Sequence, residues 1–91
     1  MIAKQIRVNG LVQGVFFRVS TKEKADELGV KGWVRNCRRR SDSVKIFAEG
    51  EEEAIQKFLD WCHKGPENAE VEEVEVAVAK PKNSSSFEVT D

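Results

Sequence analysis

Between Gly10 and Arg18 the chain reads GLVQGVFFR, two glycines, two adjacent phenylalanines and one arginine between an alternating stretch and a helical pattern. Where a strand passes into a helix, the first backbone N–H groups of the helix have no carbonyl to bond and face outward, which makes them a receptor for an anion. Gly14 lets the backbone approach a ligand closely, and the planar guanidinium of Arg18 can hold a phosphate or carboxylate by two hydrogen bonds. On residue types alone two readings stand side by side. One is a phosphate cradle; the other is an ordinary strand-to-helix turn in which Phe16 or Phe17 plugs the core and Arg18 is solvated.

The other familiar routes to phosphate chemistry find no support. No glycine is followed by Lys and Ser/Thr at the spacing of a Walker loop. A cysteine-nucleophile phosphatase places an arginine a few residues beyond its cysteine, but Ser43 and Asn68 occupy those positions after Cys37 and Cys62. The single histidine, His63, falls at the end of a predicted helix, where the helix dipole accounts for it. Cys37, Cys62 and His63 do not complete a four-ligand zinc site, and no acidic cluster suggests a two-metal centre. No metal site is apparent in the residues, so if the chain is an enzyme water itself is the expected nucleophile.

The elements that must position this loop can be read from periodicity. KQIRVNG alternates Ile6 and Val8 with Gln5 and Arg7, the period of a half-buried strand. RVSTKEKADELG is rich in helix formers and closes on Gly29. KGWVRNC and SVKIFAEG read as a close pair of strands, the second with Val44, Ile46 and Ala48 on one face. EEEAIQKFLDWCHKG carries acids in its first turn and Ile55, Phe58, Leu59 and Cys62 at helical spacing. VEEVEVAVA sets Val74, Val76 and Val78 on one face, Pro81 to Ser86 is a polar connector, and FEVT is a short last strand. The order βαββαβ plus a terminal strand predicts an α+β, ferredoxin-like sandwich: a mostly antiparallel sheet with both helices on one face.

Ninety-one residues suit a single domain, 1–91, with one modest core. No signal peptide and no membrane-spanning run is evident, so the expectation is a soluble, cytoplasmic protein with no membrane partner. The net charge of −1 conceals a division. Residues 1–48 hold eleven Lys/Arg against four Asp/Glu, and residues 49–91 hold four against twelve. An anionic ligand would favour the first half, but on charge alone a patchwork of solvated charge sorted along the chain is the preferred reading.

VNGLVQGVFFRVST, with LGVKGWVRN, EG at 49–50, GP at 65–66 and the terminal FEV, resembles acylphosphatase in order over nearly the whole chain. The resemblance implies the same ferredoxin-like fold. It also implies hydrolysis of the mixed anhydride of a carboxylic acid and phosphate, without metal or cofactor. The substrate would be a small-molecule acyl phosphate and one product inorganic phosphate. The family's catalytic arginine falls on Arg18 and its asparagine on Asn36, and the backbone of Gln13, Gly14, Val15, Phe16, Phe17 and Arg18 would form the phosphate cradle. One feature departs from the family: NCRRRSDSV is two residues longer than the usual hairpin and lacks its glycine.

These roles make chemical sense. An acyl phosphate has a good leaving group, so the protein has to neutralise phosphoryl oxygens and align one water. A carboxamide such as Asn36 can orient water by accepting and donating, and the substrate's phosphate can take the proton. Apart from the resemblance, Asn36 reads as a turn residue ending a strand. Arg38, Arg39 and Arg40 are expected to form a solvated turn that makes no nucleic-acid contact. An RNA-recognition motif shares the strand order, but SVKIFAEG supplies only Phe47 as an aromatic. The alternative is a catalytically silent phosphate-binding module of the same fold. A monomer is expected.

Overall fold

The computed structural model describes residues 1–90. Its elements are β1 (Ile2–Leu11), α1 (Phe17–Leu28), β2 (Lys31–Asn36), β3 (Ser43–Gly50), α2 (Glu52–Cys62), β4 (Glu70–Ala79) and β5 (Phe87–Val89). The strands form one sheet in the order β4-β1-β3-β2-β5. Every pairing is antiparallel except that of β5 with β2. The α+β, ferredoxin-like sandwich expected from the sequence is the fold observed.

Side-chain alternation divides the sheet into two faces. Ile6 lies opposite Ile46 and Val8 opposite Val44, and Val34 lies opposite Ile46 on the other side. These residues are buried with Phe17 and Ala25 of α1, Ile55, Phe58 and Cys62 of α2, and Phe87 of β5. Burying apolar side chains at about 25 cal/mol per Å² is the main force joining the layers. Gly29 ends α1 in a left-handed conformation (φ 77°) with its N–H directed at Ala25 and Asp26 carbonyls. Glu52 and Glu53 occupy the first turn of α2, where the dipole favours them.

At β4 the predicted valine face is only partly a core face. Val74 packs on the cluster, but Val76 is 46 % and Val78 83 % exposed. As the edge strand, β4 lies at the margin of the helical layer. The opposite face of the sheet carries Arg7, Lys45, Phe47, Glu49, Trp33 and Arg35. Near one end of this face the 80–86 connector meets Glu49, whose carboxylate accepts from the N–H groups of Lys82, Asn83 and Ser84 at 2.9, 3.1 and 2.8 Å.

Candidate active site

The β1–α1 loop and the β2–β3 hairpin emerge at the same end of the sheet, because Asn9 is paired with Ser43 and Asn36 with Val44. Gly10 sits at a shift of register between β1 and β4, where a Cβ would come within 2.1 Å of the Glu70 carbonyl oxygen. The chain then turns through Gly14 (φ 74°), where a Cβ would meet nothing within 4 Å. Glycine is favoured there by its left-handed backbone, and the space beside it is open. Phe16 is also left-handed (φ 61°), one of two non-glycine residues in that region among those described. Such strain clusters at functional loops because the surrounding structure must hold it in place.

The two phenylalanines part company at the helix start. Phe17 is 1 % exposed and packs on Trp61 with ring centroids 5.6 Å apart. Phe16 is 77 % exposed. The buried stripe Phe17, Thr21, Ala25 explains the choice, since residues four apart share one face of a helix. That spacing was available in the sequence and identifies Phe17 as the plug.

Phe16 occupies the cap position of α1 and provides no side-chain cap. Among the described residues, no acceptor bonds the N–H groups of Gly14, Val15, Phe16 or Phe17. Gly14, Phe16, Phe17 and Arg18 wall one cleft together with Val12, Val19 and Val89. Val15 instead packs against the core.

The side chain of Gln13 takes a part that its sequence position did not reveal. Its Nε2 donates to the carbonyl oxygens of Arg40 and Ser43, each at 2.8 Å, and of Cys37 at 3.4 Å. The residue thus ties the loop to the hairpin that follows Asn36. A further network supports the hairpin: Ser43 Oγ donates to Asn9 Oδ1, and Asn9 Nδ2 donates to Glu73 and Glu75 at 3.1 and 2.8 Å.

Asn36 does not line the cleft that Arg18 walls. It ends β2 on the helix-covered face, in line with Val34, at the end of the sheet where α1 begins. Its Oδ1 is buried and, among the described residues, has no hydrogen-bond partner. A buried amide oxygen without a donor is costly and uncommon, so this one is an acceptor awaiting a donor.

The two thiols differ in setting. Burial pushes Cys62 up to about 12. Cys37 is held below the usual thiol range, chiefly by the Arg39 backbone N–H, against a smaller opposing effect of burial. Among the described residues, no group of three His, Cys, Asp or Glu side chains converges as a metal site would require, and no helix is long and apolar enough to cross a membrane.

In this ferredoxin-like sandwich the first helix starts from open loop amides with an arginine beside them, an arrangement that can hold an anion. The family model described as Acylphosphatase matches residues 4–89. An acylphosphatase from Acidovorax sp. (strain JS42) is 47% identical over 87 residues, which cover 96% of this chain and 88% of that protein. The crystal structure of acylphosphatase from Bacillus subtilis matches with a TM-score of 0.94 at 32% identity, covering 100% of both chains. An acylphosphatase structure from Coxiella burnetii matches with a TM-score of 0.92 at 36% identity, covering 98% of this chain and 92% of that one. The chain belongs to the acylphosphatase family, and its activity is that of an acylphosphatase.

Proposed function

We propose that the chain hydrolyses small-molecule acyl phosphates by direct attack of one positioned water on phosphorus, with no metal and no covalent intermediate. The loop amides from Gln13 to Arg18 and the Arg18 guanidinium hold the phosphoryl oxygens. Asn36 orients the water. As the water oxygen bonds to phosphorus, the bond from phosphorus to the acyl oxygen breaks and the carboxylate leaves. The water's proton passes to a phosphoryl oxygen of the substrate itself. Aligning the reactants and stabilising phosphoryl charge are the main sources of rate in such transfers.

The observation that carries this reading is the buried, unpartnered Oδ1 of Asn36 at the end of the sheet where α1 starts. A water lodged there can donate one hydrogen to Oδ1 and keep its lone pair for phosphorus. The test is single-turnover hydrolysis of benzoyl phosphate in ¹⁸O-water with a metal chelator present. The expected result is an undiminished rate and label in inorganic phosphate. Label in benzoate, or loss of activity on chelation that added metal restores, would refute the mechanism.

A further inference from the structure

The sheet register creates a feature that the catalytic cradle does not use. Arg7 lies directly opposite Lys45, and Lys45 directly opposite Arg35, so three cations stand in one row across β1, β3 and β2 on the face away from the helices. Like charges placed opposite one another across strands destabilise a sheet by roughly 0.2–1 kcal/mol a pair. The row contains one acid, Glu75, and both its oxygens are engaged by Arg7 at 2.9 to 3.1 Å. Among the described residues, neither Lys45 nor Arg35 has a carboxylate partner. The Arg35 guanidinium rests over the Trp33 ring, 5.1 Å from its centroid.

Beside this row opens a cleft lined by Arg35, Cys37, Arg38, Arg39 and Lys45. Four of its five lining residues are cationic and none is acidic. Its field is felt by the Cys37 thiol, which is held below its ordinary range first by the Arg39 backbone N–H and then, after the opposing effect of burial, by the Arg40 N–H, Lys45 and Arg7. Several cations around one hollow are what a multiply charged anion requires. We propose that this cleft is a second anion site, separate from the catalytic cradle and on the opposite face of the sheet, and that it takes a short chain of linked phosphates. The row favours a chain over a single phosphate. Lys45 and Arg35 stand on neighbouring strands about 4.8 Å apart, and Arg38 and Arg39 of the hairpin line the cleft with them, so its four cations are spread more widely than one phosphate can meet.

The probe is tripolyphosphate, titrated calorimetrically into the native protein with the cradle saturated by inorganic phosphate. One-to-one binding is expected under those conditions. Arg35→Gln combined with Lys45→Gln should weaken it at least tenfold while leaving the affinity for inorganic phosphate unaltered, since both residues lie outside the cradle. Lys45→Gln alone, an exchange on an open sheet face, should weaken it about threefold and serves if the double variant unfolds. Unchanged binding by these variants overturns the proposal. Loss of tripolyphosphate binding in Arg18→Ala would assign the probe to the cradle and overturn it as well. Tighter binding of a single-stranded oligonucleotide through the same residues would also overturn it, in favour of a nucleic-acid surface.

Discussion

Arg18 and Asn36 reach the same end of the sandwich from different layers, and their proposed roles fail differently on removal. Losing a preorganised donor aimed at developing charge typically costs ~2.7–4 kcal/mol, or about 10²–10³ in rate. Arg18→Ala should therefore lose turnover of benzoyl phosphate by about that factor, and with it the competitive inhibition by inorganic phosphate. Arg18→Lys should recover little, because an ammonium cannot reproduce a two-pronged contact. Asn36→Ala should lose turnover while binding phosphate nearly as tightly, since its partner is water. A folded Asn36→Ala protein with near-normal kcat would remove that role. Neither thiol is given a part in the proposed mechanism, so Cys37→Ser combined with Cys62→Ser should retain full activity. In the native protein a thiol reagent at pH 7 should label Cys37 and spare Cys62, which is fully buried. Equal labelling of both without unfolding would contradict that assignment.

Between elements, the link that matters to the site is Gln13. Its amide spans from the β1–α1 loop to three carbonyls of the β2–β3 hairpin, and each hydrogen bond of this kind contributes on the order of 1 kcal/mol. Gln13→Ala should lower stability by about 1–2 kcal/mol in urea unfolding and reduce kcat more than it raises KM, because the hairpin it frees follows Asn36 directly. A variant with unchanged kcat would show that loop and hairpin hold their positions independently. Replacing Arg38, Arg39 and Arg40 by Ser should raise KM at low ionic strength and leave kcat alone, since exposed charges act on approach and are screened beyond roughly 8–10 Å. Elements with their own period could be read from sequence: SVKIFAEG is β3 from its first residue to its last, and the acid-led apolar stripe of α2 is where expected. The glycine-rich loop was also legible as the start of a helix. What could not be read depends on register or on distant backbone. The partners of Gln13 are carbonyls 24 to 30 residues away, which no side-chain pattern announces. The Arg7, Lys45, Arg35 row exists only once the strands are aligned. Residue type gives Asn36 a role no better than a turn, because the orphaned oxygen that distinguishes it is created by packing.

Across the whole molecule, the connector from β4 to β5 has to join the two edges of the sheet, and Glu49 holds it from the strand in the middle. This carboxylate is 1 % exposed yet is held below the usual carboxylate range. Burial, the largest single influence, pushes it upward; hydrogen bonds from Ser84 and from the Lys82 and Asn83 amides together outweigh it. Three successive N–H groups converging on one anion form a nest, here filled from within the chain. The connector also places Lys82 Nζ 5.0 Å from the centroid of the Phe47 ring, so the clamp helps keep that aromatic covered. Because the folded group titrates below its unfolded value of about 4.3, its contribution is fully present above that pH and is lost as pH falls through the folded value. Hydrogen bonds to a charged group contribute roughly 1.5–3 kcal/mol. Glu49→Gln should therefore lower stability by about 2 kcal/mol at pH 7, since a neutral amide offers one acceptor oxygen and turns an NH₂ toward amides that need an acceptor. The two proteins should converge as the pH falls below the usual carboxylate range, where the native carboxyl gains its proton. Urea unfolding of both at pH 7, 5, 4 and 3 measures this directly. A stability gap that stays constant over that range would mean that shape, with no contribution from the carboxylate charge, holds the connector to the sheet.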